Sequence, residues 1–390
     1  MSSFSPRPLL LILLLWLAGL GAAGQFAKIA VPLSEFGALY PDAGSGLGWL
    51  LSLISVVGIF LGMTAGIIAA KIGYAKLLIW AILLGAVVSA WQAQIPSFTG
   101  MLASRLVEGF SHLVIVVVAP TLIAQYSSAR FRGMAMAFWS TFFGVSFAIV
   151  AWFGLPFISS YGLGNLLLVH SIFMGVLAGL LLLAFRNSGL HIPASDAALS
   201  VKNILRQHVN AYRSPNISAP ALGWLFYTLT FVSILAILPS ILPAEGDAQL
   251  IGLLPLISIA ASLVLVSFLL TFTSAVSIVI VGFLLAVGIL LLALMGLPTS
   301  IAFMGLFVVL GLIQGASFAA VTQLNSSTNN RALANGAMAQ MGNLGNTVGT
   351  PLLFAVLGQF GITGLLLTIC SLYAVGAALH LFLLRIRHYN

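Results

Sequence analysis

The sequence predicts an all-α membrane protein, with twelve transmembrane helices in two six-helix, pseudo-symmetric halves. Three observations carry this. Of 390 residues, 61% are hydrophobic and only 5% charged, with a mean hydropathy of +1.18, where a soluble domain carries about 25% charge. The apolar residues fall into twelve runs, each long enough to cross a hydrocarbon core about 30 Å thick. Short patterns of the first six runs also return in the last six, in the same order.

The first run, near 8–34, follows Arg7 and resembles a secretory signal, but it continues past Gly24 to about Leu33. That is too long for a signal's apolar core and suits a retained first span. The second run (46–70) lies between acidic Glu35 and Asp42 and basic Lys71 and Lys76. The third (77–95) and fourth (98–125) are separated by a short polar turn, and the fifth (134–158) opens after Arg130 and Arg132. The sixth (163–185) stops at Arg186, where the longest polar segment begins. Residues 1–185 then form an N-terminal bundle, 186–216 a cytoplasmic linker and 217–390 a C-terminal bundle. Within the linker, Val201, Ile204, Leu205, His208 and Tyr212 recur at helical spacing, which suits either a helix on the inner leaflet or a solvated connector. The second bundle has runs near 217–242, 249–271, 275–296, 299–323, 335–358 and 362–385.

Twelve of the fourteen Lys and Arg fall at loops or ends on one side: Arg7, Lys71, Lys76, Arg130, Arg132, Arg186, Lys202, Arg206, Arg213, Arg331, Arg385 and Arg387. The other side carries Glu35, Asp42, Glu245 and Asp247. By the positive-inside rule both termini are cytoplasmic. The net charge of +8 is therefore a topology signal and not a sign of nucleic-acid binding. Cys370 is the only cysteine, which excludes an intramolecular disulfide and any multi-cysteine metal site. No zinc-protease, phosphate-loop or nucleophile-elbow signature is present, so neither an enzyme nor a cofactor is expected.

The two remaining cations, Lys28 and Arg105, lie inside spans. Arg105, Glu108 and His112 fall within roughly 60° of one another on the fourth helix, and that face cannot meet lipid, because ionisable groups at mid-membrane cost several kcal/mol. They mark a substrate or proton path, unless Arg105 and Glu108 form only a packing ion pair. Three repeats relate the halves at offsets of 203–206 residues. Leu53-Ile54-Ser55 returns as Leu256-Ile257-Ser258, Leu106-Val107-Glu108-Gly109 as Leu312-Ile313-Gln314-Gly315, and Gly133–Ala137 as Gly336–Ala339. Transporters are often built from such repeats, with the site near the midplane.

Over its whole length the sequence resembles the major facilitator superfamily. Arg105-Leu106-Val107-Glu108-Gly109 is similar to that family's fourth-helix motif, and Gly66–Lys76, with Gly66, Lys71 and Gly73, to its gating loop between helices two and three. The family's acidic residue is replaced there by Ala70. Arg130-Phe131-Arg132-Gly133 running into Ala137–Thr141 resembles the cyanate- and nitroimidazole-type permeases, and Lys28 resembles the membrane lysine of monocarboxylate porters. The resemblance implies a monomer in a bacterial inner (plasma) membrane, with a cavity lined by helices one, four, seven and ten. Substrate-binding candidates are then Gln25, Lys28, Arg105, Tyr227 and Gln314, with Thr230 and Ser233 on the same lining and Asn343 and Asn346 on an eleventh-helix polar stripe with Gln340, Thr347 and Thr350. That stripe suits interhelical packing as well as substrate contact, and Lys28 could instead snorkel to the interface.

Two cations at similar depth make an anion site, and Glu108 or His112 could carry a coupling proton. The expected function is secondary transport of a small organic anion by alternating access, as proton-coupled uptake (symport). The partners are then the anion, protons and the bilayer. The alternative is a proton antiporter exporting a drug-like or hydrophobic compound, but the fifth run, Gly144 to Pro156, lacks the GPxxGG form common in exporters. A receptor or scaffold without transport is a further alternative. Trp139 and His170 are isolated and read as packing residues. The orientation is testable: with Cys370 replaced, Ser45→Cys or Gly246→Cys should react with an impermeant thiol reagent from outside intact cells. Ala129→Cys or Ser200→Cys should not, and labelling of Ala129→Cys would overturn the reading.

Overall fold

The computed structural model describes residues 6–62, 64–128, 131–188, 201–242 and 247–389. Arg130, Glu245, most of 186–200 and the labelling positions Ala129, Ser200 and Gly246 lie outside these. Every regular element among the described residues is helical. In a bilayer the backbone must satisfy its own hydrogen bonds, and these sequences do so as helices.

The elements in order are α1 (Pro6–Ala30), α2 (Leu33–Leu39), a 3₁₀ segment (Pro41–Gly48), α3 (Trp49–Leu61), α4 (Ala65–Ile72), α5 (Tyr74–Gln92) and α6 (Phe98–Tyr126). Then come α7 (Arg132–Ser140), α8 (Phe142–Ile149), α9 (Leu155–Tyr161), α10 (Leu163–Ser188), α11 (Val201–Arg213) and α12 (Pro215–Ile241). The chain closes with α13 (Asp247–Ala260), α14 (Val266–Leu269), α15 (Ala275–Leu294), α16 (Thr299–Leu324) and α17 (Thr328–Tyr389).

Eleven described stretches are long and apolar enough to cross a membrane, and the last, Asn330–Arg387, runs for 58 residues. At 1.5 Å per residue a straight helix of that length would span about 87 Å, nearly three bilayer cores. It is broken at Gly361, whose φ of 64° and ψ of −164° only glycine adopts without strain. Spans eleven and twelve lie on either side of that break, which completes the expected twelve.

Three spans are less regular than their hydropathy suggests, span eight because a π turn at Ala261–Leu265 joins α13 to α14. Span two is interrupted between α3 and α4 near Gly62. In span five, α8 and α9 are joined by a π turn at Val150–Gly154, which ends two residues before Pro156. Proline has no N–H to continue the helical ladder and its ring crowds the preceding turn, so the backbone widens there.

The chain forms two compact units, which do not coincide with the sequence halves. One comprises Met1–Val31 and Thr64–Leu199, the other Pro32–Met63 and Ser200–Asn390. In the first, a core of Leu15, Ala18, Ala22, Ile82, Ile115, Leu122, Met174 and Leu181 joins α1, α5, α6 and α10. Trp139 belongs to it as a packing residue, its ring tilted against Phe142 with centroids 4.4 Å apart.

In the second unit α17 is gripped on two faces. Towards α12, a Cβ at Gly349 would lie 2.0 Å from the Leu229 carbonyl oxygen, and one at Gly345 2.1 Å from Thr228 Oγ1. Towards α3, Gln340 Nε2 donates to the Ile59 carbonyl at 2.8 Å, and a Cβ at Gly58 would lie 2.2 Å from Asn343. This second face explains why Pro32–Met63 clusters with the C-terminal residues. The linker helix α11 also docks here: Ala211 is buried, and Tyr212 donates to Gln340 Oε1 at 2.9 Å. Burial pushes the Tyr212 phenol up to about 12.

Close approach of α12 and α17 makes a specific demand on side-chain size. Gly349→Ala should destabilise the protein by about 1–3 kcal/mol through overpacking against backbone. Gly288→Ala, where an added Cβ meets nothing within 4 Å, should be neutral. Thermal unfolding in detergent compares the two, and equal midpoints would remove the close-packing argument.

Candidate functional site

The site lies inside the first unit and is built on four helices. Lys28 sits near the C-terminal end of α1, Ser89 and Gln92 in the last turn of α5, Ser104, Arg105 and Glu108 on α6, and His170 on α10. The local register of α6 is set at its start, where Ser97 caps the helix by accepting from the Gly100 N–H at 3.3 Å. From that start Ser104, Arg105, Glu108, Ser111 and His112 are all buried on the inward side.

The central group is the Glu108 carboxylate. Oε1 accepts from Lys28 Nζ at 2.6 Å, while Oε2 accepts from Arg105 Nη1 and from Gln92 Nε2, the latter at 2.9 Å. Lys28 is 1% exposed, and Arg105 and Glu108 are fully buried. Lys28 therefore does not snorkel to an interface; its ammonium is turned into the helix bundle. Two cations and one carboxylate leave the cluster one positive charge in excess, with the hydroxyls and amide around it uncharged.

Further bonds complete the cluster. Lys28 also donates to Ser89 Oγ and lies 3.4 Å from His170 Nδ1. Ser89 Oγ is 2.8 Å from the same Nδ1, and His170 Nε2 is 2.9 Å from the Gly21 carbonyl oxygen. Gln92 Nε2 also donates to Ser104 Oγ at 3.0 Å. One turn further along α6, Gln25 Nε2 donates to Ser111 Oγ at 2.8 Å, and Gly85 leaves the room: a Cβ there would lie 2.6 Å from that hydroxyl.

The structure brings Lys28, Arg105 and Glu108 together, places Gln25 on Ser111 one turn away, and corrects the reading of His170. It is not an isolated packing residue but a direct neighbour of Lys28. Ser89, Gln92 and Ser104 were also missed, and the signal for all four was weak, since single polar residues in spans three, four and six match no motif. His112 stands apart from the ion pairs: its Nδ1 donates to the Ala22 carbonyl at 3.1 Å and its ring meets Phe26 edge-on.

The candidates of the second unit form separate groups. Tyr227, stacked between Trp224 and Phe231, donates to Gln314 Oε1 at 3.3 Å. Thr230 and Ser233 bond to Tyr373 at 2.6 Å and Thr350 at 3.0 Å, tying helices together rather than lining open space. Asn343 donates to the Ala339 carbonyl at 2.7 Å beside Gly58, and the Asn346 carbonyl accepts from Ser52 Oγ at 3.4 Å, so this part of the polar stripe faces α3. Of the loop residues, Gly66 is open, Lys71 is exposed, and Gly73, with φ of 101°, makes the turn from α4 into α5. A groove of about 320 Å³ lined by Phe226, Leu367, Thr368, Ser371, Leu372 and Val375 offers no free polar chemistry, because both hydroxyls donate to carbonyls of their own helix.

Comparison with known proteins gives a consistent picture. The family described as the Major Facilitator Superfamily matches residues 11–349. The niacin transporter NiaP of Acinetobacter baylyi (strain ATCC 33305 / BD413 / ADP1) is 30% identical over 153 residues, and the match covers 37% of this chain and 34%, about a third, of that transporter. Among solved structures, the human organic anion transporter MFSD10 (TETRAN) superposes with a TM-score of 0.70 at 17% identity, covering 96% of this chain and 99% of that one. A mutant of the nucleoside transporter NupG gives 0.74 at 15% identity, with the same coverage. At these identities the structural likeness establishes the fold.

Removing one member of the buried cluster should cost more than removing two. Glu108→Gln leaves two buried cations without a carboxylate and should destabilise by about 3–5 kcal/mol. Adding Lys28→Met should recover part of that loss. A double-mutant cycle on unfolding midpoints measures the coupling, and strict additivity would mean that Lys28 and Glu108 do not interact.

Proposed function

Because the chain belongs to the Major Facilitator Superfamily, we propose that it is a secondary active transporter which moves a small organic anion by alternating access, in symport with a proton and into the cytoplasm. The observation that carries this is the Glu108 carboxylate held between two cations, one oxygen facing Lys28 and the other Arg105. An internal carboxylate so placed marks the environment that a substrate carboxylate would enter. The excess positive charge attracts an anion and disfavours a cation. Gln92 supplies a neutral donor beside the two charged ones. The similarity of a 153-residue stretch to a niacin transporter supports the same class, since niacin carries one carboxylate.

Coupling follows from competition for the same cations. When a substrate carboxylate engages Arg105 or Lys28, Glu108 loses the partners that favour its ionised form, and its protonation becomes easier. The loaded site then holds one anion and one proton more than the empty one. Glu108 is the first candidate for the coupling proton and His112 the second, being held to a backbone carbonyl outside the ion pairs. Tyr227 and Gln314 supply neutral hydrogen-bonding groups in the second unit.

Counterflow and gradient-driven uptake in proteoliposomes test the scheme, with nicotinate as first probe and other small monocarboxylates beside it. Lys28→Gln and Arg105→Gln should each weaken anion binding. Glu108→Gln imitates the protonated form, so it should exchange substrate across the membrane but fail to concentrate it under an imposed pH gradient. A carboxylate ligand should also raise its unfolding midpoint by more than it raises that of the unaltered protein, by replacing the missing charge. Accumulation by Glu108→Gln would pass the coupling role to His112 or to another ion.

A further inference from the structure

We propose that His170, acting through Ser89, is the positioning residue of this site: it accepts from the Ser89 hydroxyl and so turns the lone pairs of Ser89 to one N–H of the Lys28 ammonium, while another N–H is exchanged between Glu108 and a substrate carboxylate. The proposal deepens the anion-transport reading and rests on it for the exchange step. Its structural part stands on the geometry of the first unit.

An ammonium has three N–H donors and no acceptor. Lys28 Nζ donates to Glu108 Oε1 at 2.6 Å and to Ser89 Oγ, and His170 Nδ1 lies behind Ser89, 3.4 Å from the ammonium. The direction of these bonds is fixed from the far end. His170 Nε2 lies 2.9 Å from the Gly21 carbonyl oxygen, which can only accept, so Nε2 carries the proton and Nδ1 offers its lone pair. Ser89 Oγ accepts from Lys28, and its own hydrogen is then directed at Nδ1, 2.8 Å away. The donors run one way, from Lys28 through Ser89 and His170 to the backbone of α1.

The sequence makes room for this arrangement. A Cβ at Gly24 would lie 3.0 Å from both Cδ2 and Nε2 of His170, so glycine at that position lets the imidazole lie against α1. The backbone carbonyl that orients the ring belongs to Gly21, one turn earlier on the same helix.

The chemistry explains why the acceptors are a serine and a histidine. Both are uncharged when they accept, so they satisfy Lys28 without cancelling its charge. A second carboxylate in place of His170 would bring the cluster to two cations and two anions, and the excess charge that attracts an anion would be gone. With one N–H held by Ser89, whose own hydrogen His170 fixes, Lys28 stays in position when Glu108 is neutralised, and the N–H that Glu108 releases matches one oxygen of a substrate carboxylate.

Nitrogen NMR of protein labelled with ¹⁵N-histidine tests the positioning part without any substrate. The His170 signals among the six histidines are identified by their loss in His170→Gln. One ring nitrogen should be protonated and the other in the accepting range, and both Ser89→Ala and Lys28→Met should shift the accepting nitrogen. A rapidly averaged ring, or signals unmoved by Lys28→Met, would overturn the proposal. In nicotinate counterflow, His170→Phe should raise KM about tenfold, equivalent to about 1.4 kcal/mol, with a smaller change in maximal rate. His170→Gln, whose amide both accepts and donates, should recover most of that loss. Equal damage by both variants would overturn the positioning role. Intact NMR signatures with no nicotinate movement by any form would sink the carboxylate reading instead and leave the hold on Lys28 standing.

Discussion

Three ionised groups are buried together, and the first unit depends on their arrangement. A buried charge is costly unless it is paired and hydrogen-bonded, and the Glu108 carboxylate pairs with both Lys28 and Arg105. Through it α1 and α6 are fixed to each other, and Gln92 adds α5. The small residues of α1 follow from this. Gly21 and Gly24 lie where α10 must come close, and Gly85 of α5 gives space to Gln25 and Ser111.

The second unit is held together by different means. Its spans meet through glycines set directly against backbone, as at Gly311 near the Ser258 carbonyl and Gly349 near that of Leu229, with hydroxyl pairs added between helices. The repeat makes the contrast concrete. The position of Glu108 in the first half is occupied by Gln314 in the second, and the amide there meets a phenol instead of two cations. Ionic chemistry is thus concentrated in one half of a duplicated architecture, and neutral hydrogen bonding serves the other.

The excess of one positive charge has a consequence for what can bind. A cluster at exact balance would gain little from an added anion, whereas this one would reach neutrality when an anion enters, before Glu108 takes up a proton. The uncharged character of Ser89, Gln92 and His170 preserves that condition while filling the remaining donor and acceptor positions.

Composition and run length determined the class of fold, because a segment of about 20 apolar residues with no charge has one stable form in a bilayer. The fourth-helix spacing of Arg105 and Glu108 determined that they share a face, since helical periodicity is a local property. Packing between spans is not local, and there the sequence was silent. Nothing in the order of residues puts His170 and Ser89 beside Lys28, because they lie 142 and 61 positions away and belong to no shared motif. The same holds for Pro32–Met63, which the chain order assigns to the first half and which clusters with the second because Gly58 accommodates Asn343 of α17. Hydropathy decides which segments enter the membrane, whereas the fit of small residues to large ones decides which of them touch, and only the tertiary structure records that fit.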